Sequence, residues 1–96
     1  MSPENRKKLY KLRKKLDTLD NSFINLVKKR NIIVNQVLKL KKKRNQIVDK
    51  TRINQILKNI KKKSIKNKID PKITKKIWIN MISAFIEYEK KNFNKK

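Results

Sequence analysis

Apolar residues recur every three or four positions over the first 40 residues of the chain. The steps alternate between three and four, which is typical of a helix that packs along its length against another helix. Arg30 is the one polar residue in this row, which otherwise consists of Leu9, Leu12, Leu16, Leu19, Phe23, Leu26, Ile33, Val37 and Leu40. We call these positions the seam. The seam predicts one helix that begins at Pro3, with Ser2 as its cap, and runs to about Lys43.

Two shorter helices are predicted after the first. Residues 42–48 are rich in Lys and Asn and predict a loop, and Asp49 is a suitable cap for a second helix through about Lys63. Asp70 followed by proline predicts the start of a third helix over 71–93. We therefore expect an all-α fold with three helices per chain, the first one long, in a single domain over 1–96.

The predicted first helix is too long for the rest of the chain to cover. At 1.5 Å per residue, about 40 residues extend roughly 60 Å, whereas the two later helices are much shorter. Its apolar seam therefore predicts a partner chain.

The amino-acid composition excludes most familiar kinds of active site. The chain has no Gly, so it lacks phosphate-binding loops and dinucleotide turns, which bring bare backbone against a ligand. It has no Cys or His, which excludes thiolate nucleophiles, Ser-His-Asp triads and structural zinc sites. We predict no metal and no cofactor. Because no signal-like segment or long apolar run is present, we also predict a cytoplasmic protein without membrane contact.

The strongly basic charge suggests nucleic acid as a partner. Lys and Arg number 30 against 7 acidic residues, which gives a formal net charge of +23, and basic surfaces gain affinity by displacing counterions from phosphates. However, Lys, Asn and Ile all have A/T-rich codons, so the base composition of a genome explains the same excess. A basic helical dimer that binds nucleic acid is the alternative we rank last.

Two basic residues could bind a small anion. Arg30 lies in the seam, where its guanidinium loses water unless an anion pairs with it, either Asp17 or Asp20 of a partner helix or a bound ligand. Lys41 follows by 11 residues and projects from nearly the same side of the helix. Lys41 also begins a run of three lysines, and such runs are typical of a solvated surface. Both interpretations stay open.

Arg13 lies 17 residues before Arg30. That is roughly 25 Å along the helix, so one small ligand can meet both arginines only if one of them comes from a partner chain.

Glu89 is a carboxyl on an apolar face of the predicted third helix, between Phe85 and Phe93. Burial there favours the neutral acid, which could donate a hydrogen bond to a ligand oxygen. A glutamate that turns outward, or that pairs with Lys90 or with a lysine of another helix, fits the sequence equally well.

The spacing of these charged residues resembles that of the all-helical (AroQ-class) chorismate mutases. Residues 12–20 resemble the family's opening pattern, an Arg followed by L-D-x-x-D, and residues 26–30 end on its second arginine. Lys41 falls at the family's catalytic lysine, and residues 49–52 resemble the start of its second helix. The likeness continues through residues 77–89 of the third helix, so it covers nearly the whole chain.

The resemblance implies an interlocked homodimer that converts chorismate to prephenate in the shikimate route to aromatic amino acids. Such an enzyme is an isomerase whose pericyclic reaction needs no nucleophile, proton shuttle or cofactor. Its site selects the compact conformer of the substrate and stabilises charge on the ether oxygen.

The resemblance also assigns catalytic roles. Arg30 and the partner's Arg13 would hold the two carboxylates of the substrate, and Lys41 would reach a carboxylate and the ether oxygen. Glu89 stands where the family has Gln, or Glu in some members, next to the same oxygen, and a Glu must be protonated to donate there.

Asp49 and Arg52 would bind substrate by helping to close the pocket, although from the residues alone they could also form a surface ion pair of little energy. Two positions depart from the family pattern. Ile53 replaces a Glu that binds the substrate hydroxyl, and Phe85 replaces a small polar residue of some members. A related isochorismate-pyruvate lyase is also apolar at the first of these positions, so that lyase is the alternative activity.

Overall fold

The computed structural model describes residues 1–95 of the chain. It contains three α-helices, α1 (Pro3–Leu40), α2 (Lys50–Lys66) and α3 (Pro71–Asn92), and two short 3₁₀ turns, Arg44–Gln46 and Phe93–Lys95. No strand occurs among these residues. The expected all-α fold with a long first helix is confirmed. Within the described part of the chain, no helix combines the length and the apolar character that crossing a membrane requires.

The start and the end of α1 follow from local hydrogen bonds. The Ser2 hydroxyl accepts the backbone N–H of Asn5 at 3.1 Å, which confirms the predicted cap. The helix ends at Leu40, three residues before the predicted Lys43. There the Gln46 side-chain oxygen accepts the backbone N–H groups of residues 42 and 43, at 2.7 and 3.0 Å. These bonds replace the helical ones and turn the chain away from the α1 axis.

Aspartate caps begin the other two helices, as predicted. Asp49 Oδ1 accepts the backbone N–H of Arg52 at 3.0 Å, and Asp70 Oδ1 accepts that of Lys72 at 2.9 Å. α2 ends at Lys66, three residues beyond the predicted Lys63. α2 thus gains most of one turn over the sequence prediction.

Residues Met1–Ile33 form one compact unit, which is a stretch of α1 alone. None of its residues is buried. The side chains of the seam in this unit are between 50% and 63% exposed at Leu12, Leu16, Leu19, Phe23 and Leu26. This unit therefore carries an apolar row that the chain itself leaves in solvent.

Residues Val34–Lys96 form the second compact unit, in which α2 packs against α3. All buried residues of the described chain belong to it, namely Leu38, Ile47, Ser64 and Glu89. Ser64 Oγ lies 2.6 Å from Thr74 Oγ1, so a hydroxyl pair joins the two helices. The close approach is possible because both side chains are small.

Candidate active site

A buried ion pair lies in the second unit. Lys41 Nζ lies 2.8 Å from Glu89 Oε1, although the two residues are 48 positions apart in sequence. Their side chains are only 18% and 8% exposed. It is the one ion pair among the described residues. Charges so far out of water are retained only with close partners, so these two side chains hold each other in a fixed geometry.

The turn after α1 directs Lys41 toward α3. Lys41 is the first residue beyond the helix, and its backbone N–H still donates to the Leu38 carbonyl at 3.1 Å. The Gln46-capped turn then brings the Ile47 carbonyl within 3.4 Å of Lys41 Nζ. The ammonium thus has a carboxylate and a carbonyl as acceptors. Lys41 is set apart from its exposed neighbours Lys42 and Lys43.

The pair decides between the interpretations that the sequence leaves open for Glu89. This side chain pairs with Lys41, a lysine from another part of the fold, which is one of the alternatives that the sequence leaves open, and it neither turns outward nor pairs with Lys90. For Lys41, the interpretation as one of a run of solvated lysines is wrong. Burial and pairing make these two side chains the strongest candidates for a functional site in this unit.

A cleft of about 690 Å³ adjoins Lys41. Its walls are formed by Val37, Leu40, Lys41, Asn45, Gln46, Val48, Asp49, Lys50 and Thr51. This volume is within the usual range for small-molecule sites. The cleft brings together Lys41 and Asp49, two of the residues that the sequence nominates.

The other nominated residues of the second unit have different positions. The Asp49 carboxylate caps α2 through the backbone of Arg52, and the surface ion pair that the sequence allows between their side chains is not formed. The Arg52 side chain is exposed, and Arg52 does not line the cleft. Ile53, on the first turn of α2, is half-buried.

Arg13 and Arg30 belong to the first unit and differ in environment. Arg13 is exposed. Arg30 is half-buried, and its Nε atom is out of contact with water without a hydrogen-bond partner among the described residues. A buried guanidinium N–H without an acceptor is costly. Arg30 therefore still needs the acceptor that its place in the seam predicts.

A known protein family matches most of the chain. The family described as chorismate mutase type II matches residues 12–90. The chain belongs to the chorismate mutase type II family. The matched segment contains all six nominated residues, from Arg13 to Glu89. None of the curated proteins or solved structures compared with the chain gives a significant match.

In this chorismate mutase family member, a second long-range hydrogen bond lies next to the ion pair in sequence, between residues that the sequence analysis does not nominate. Tyr88 Oη donates to Asn35 Oδ1 at 2.7 Å, and both side chains are half-buried. The two residues are 53 positions apart, and neither continues an apolar or charged pattern. The one signal in the sequence that could have found them is that Tyr88 directly precedes Glu89.

The described residues also contain no cluster of three or more His, Cys, Asp or Glu side chains suited to a metal ion.

Proposed function

We propose that this chain is a chorismate mutase that rearranges chorismate to prephenate. The observation that carries the proposal is the buried Lys41–Glu89 pair at 2.8 Å, inside the segment that matches the family. Lys41 of this pair is a hydrogen-bond donor in the wall of a cleft of suitable volume, and the Glu89 carboxyl contacts its ammonium. A positioned ammonium in a dry site stabilises charge far better than the same group in water.

The reaction requires positioning and electrostatics alone. The ether C–O bond of chorismate breaks while a C–C bond forms, and no proton or nucleophile takes part. Lys41 donates to the ether oxygen as negative charge develops on it, so substrate replaces one acceptor of the ammonium. Glu89 lies next to the same oxygen in this proposal and holds the Lys41 ammonium through the ion pair.

Arg30 provides the anchor for a substrate carboxylate in this proposal. The unpartnered, buried Nε of Arg30 supports such a role, because a bound carboxylate would supply the missing acceptor. Bidentate arginine–carboxylate contacts also fix the orientation of the ligand, which a point charge cannot do.

A second copy of the chain completes the proposed enzyme. The exposed seam residues of the first unit support a homodimer, since an apolar row of this length is unfavourable in water. The partner's Arg13 would hold the other carboxylate, and the exposure of Arg13 in the single chain leaves it accessible for that role. Asp49, at the cleft, and Arg52 would help to close the pocket.

Isochorismate-pyruvate lyase activity is a second candidate, favoured by one residue. Ile53 is half-buried on the first turn of α2, where mutases of this class commonly have a Glu for the substrate hydroxyl. The lyase would share the arginine and lysine frame and differ in how the ring hydroxyl is held.

The deciding experiment is to incubate the purified chain separately with chorismate and isochorismate. Products are separated by chromatography, and a reaction without protein measures the uncatalysed rearrangement. We expect chorismate to be consumed well above that background, with prephenate as the only product.

Salicylate and pyruvate from isochorismate would replace the mutase by the lyase. No turnover of either substrate would overturn both and leave the basic surface as the basis for a nucleic-acid-binding dimer. A steep loss of nucleic-acid affinity with added salt would then be the next observation to seek.

A further inference from the structure

A second hydrogen bond lies next to the Lys41–Glu89 pair. Tyr88 is the residue before Glu89 on α3, and its hydroxyl donates to Asn35 Oδ1 at 2.7 Å. Asn35 lies on α1, six residues before Lys41. Two consecutive residues of α3 thus contact the end of α1 and the residue that follows it.

The two contacts are oriented differently around α3. Successive residues of an α-helix are rotated by about 100°, so Tyr88 and Glu89 leave the helix in different directions. One contact alone leaves a packed helix free to rotate or slide by a fraction of an ångström. Two contacts in different directions, about 9 Å apart along α1, remove that freedom.

The Tyr88 contact is well suited to hold a position. The tyrosine side chain has two χ angles, so ordering it costs little conformational entropy. Its hydroxyl is half-buried, and moving away from Asn35 leaves a polar group without a partner. The contact is therefore expected to be formed nearly all the time.

We infer that Tyr88 is a positioning residue of the active site, which through Asn35 sets the distance between Lys41 and Glu89. The inference rests on the proposed function, since the two groups it positions are those that meet the ether oxygen. Tyr88 itself touches no reacting atom. Its effect is on how well the ammonium and the carboxyl are aimed.

Tyr88→Phe tests the inference because it removes the hydroxyl alone. We expect kcat to fall roughly tenfold with KM changed less than about twofold, because misplacement by a fraction of an ångström lowers the rate of the chemical step. Tyr10→Phe is the matched control, since Tyr10 is 62% exposed and the change is the same. It should leave both constants unchanged.

A spectroscopic readout separates positioning from a general loss of structure. The Lys41 ammonium, buried and paired, should give a slowly exchanging side-chain NMR signal, assigned by its absence in Lys41→Ala. In Tyr88→Phe this signal should broaden or disappear while the helical circular dichroism stays at the wild-type level. In Tyr10→Phe it should persist.

An unchanged ammonium signal in Tyr88→Phe would overturn the inference, and so would a lost signal with unchanged kcat. If Tyr88→Phe fails to fold, Asn35→Leu removes the acceptor instead and is held to the same outcomes. Wild-type protein without turnover would overturn the proposed function. The ammonium signal still reports the Tyr88 contact in that case, so the two failures are distinguishable.

Discussion

The two compact units of the chain use the same α1 helix in opposite ways. In Met1–Ile33 no residue is buried, and most of the apolar seam side chains, from Leu12 to Leu26, are at least half exposed. In Val34–Lys96 the end of α1 contributes Leu38 to a core and Asn35 to a hydrogen bond with α3. Beyond residue 34 another face of α1 is therefore packed at Leu38, while the seam residues Val37 and Leu40 remain exposed.

The contrast shows which part of the candidate site one chain can form. Both residues of the Lys41–Glu89 ion pair belong to the second unit, so one chain forms this pair by itself. The first unit holds Arg30 with a buried, unpartnered Nε and Arg13 in solvent. The first unit lacks a surface that packs against its apolar row, and it lacks an anion that pairs with Arg30. In the proposed enzyme, the second copy of the chain supplies the cover and the substrate supplies the anion.

Replacing Arg30 should have the largest effect. Arg30→Ala removes the proposed carboxylate anchor, and we expect kcat/KM to fall by about 10² to 10³-fold or more, as for other charge-stabilising donors. The variant should still fold, because the substitution removes a buried Nε that has no hydrogen-bond partner in the described chain and is therefore unfavourable. Steady-state kinetics with chorismate gives the first quantity, and circular dichroism with sedimentation checks the folded dimer.

Arg6→Ala is the matched control for this variant. Arg6 lies on the same helix and is exposed, and its Nε donates to the Met1 carbonyl at 3.2 Å. It should keep wild-type turnover. Near wild-type activity in Arg30→Ala would contradict the proposed function.

Placing a charged residue in the seam tests the first unit by itself. Leu19→Glu places a carboxylate in the exposed apolar row at a position 63% exposed in the single chain. Loss of one buried leucine in each copy amounts to about 3 kcal/mol or more, which raises the dimer dissociation constant roughly 100-fold. Sedimentation at several protein concentrations measures this shift.

Asn21→Glu, exposed and outside the seam, adds the same charge and should leave the dimer intact. A wild-type chain that sediments as a monomer would remove the partner from the proposal. It would also leave the first unit without an explanation for its apolar row.

The parts of the fold that could be predicted from sequence have local causes. The helix starts at Ser2, Asp49 and Asp70 follow from caps a few residues long. The exposed seam follows from periodicity. The end of α1 could not be predicted to the residue, because it depends on which backbone N–H groups the Gln46 side chain accepts.

The site was predictable residue by residue but not as an arrangement. Lys41 and Glu89 were nominated separately, whereas their pairing depends on the turn that follows α1. Tyr88 and Asn35 were missed because no periodic pattern links residues 53 positions apart. Long-range pairing of polar side chains is a property of packing, which sequence spacing does not contain.

Glu89→Gln tests the second unit by itself, with a smaller expected effect. The carboxylate that pairs with Lys41 is an acceptor only, whereas an amide at this position donates a hydrogen bond to the ether oxygen. We therefore expect kcat with chorismate to rise in the variant, by roughly tenfold or less, as one hydrogen bond to a charged oxygen is gained.

Glu87→Gln is the matched control, since Glu87 is exposed on the same helix. It should keep the wild-type kcat. An unchanged kcat in Glu89→Gln would remove Glu89 from the proposed mechanism and leave Lys41 as the one donor.

The smallest effect concerns the end of α2, where a lysine takes a backbone conformation that favours glycine. Lys68 has φ 59°, and the Ile69 N–H donates to the Ser64 carbonyl at 2.9 Å, which is the Schellman pattern. Because a Cβ costs roughly 1–2 kcal/mol in this region, Lys68→Gly should raise the free energy of unfolding by about 1 kcal/mol after the greater freedom of the unfolded chain is deducted. Urea unfolding at one fixed protein concentration measures the change.

Lys62→Gly is the control, since Lys62 is exposed within α2. It should lower the free energy of unfolding by about 1 kcal/mol. A change of the same sign in both variants would contradict the strain assigned to Lys68.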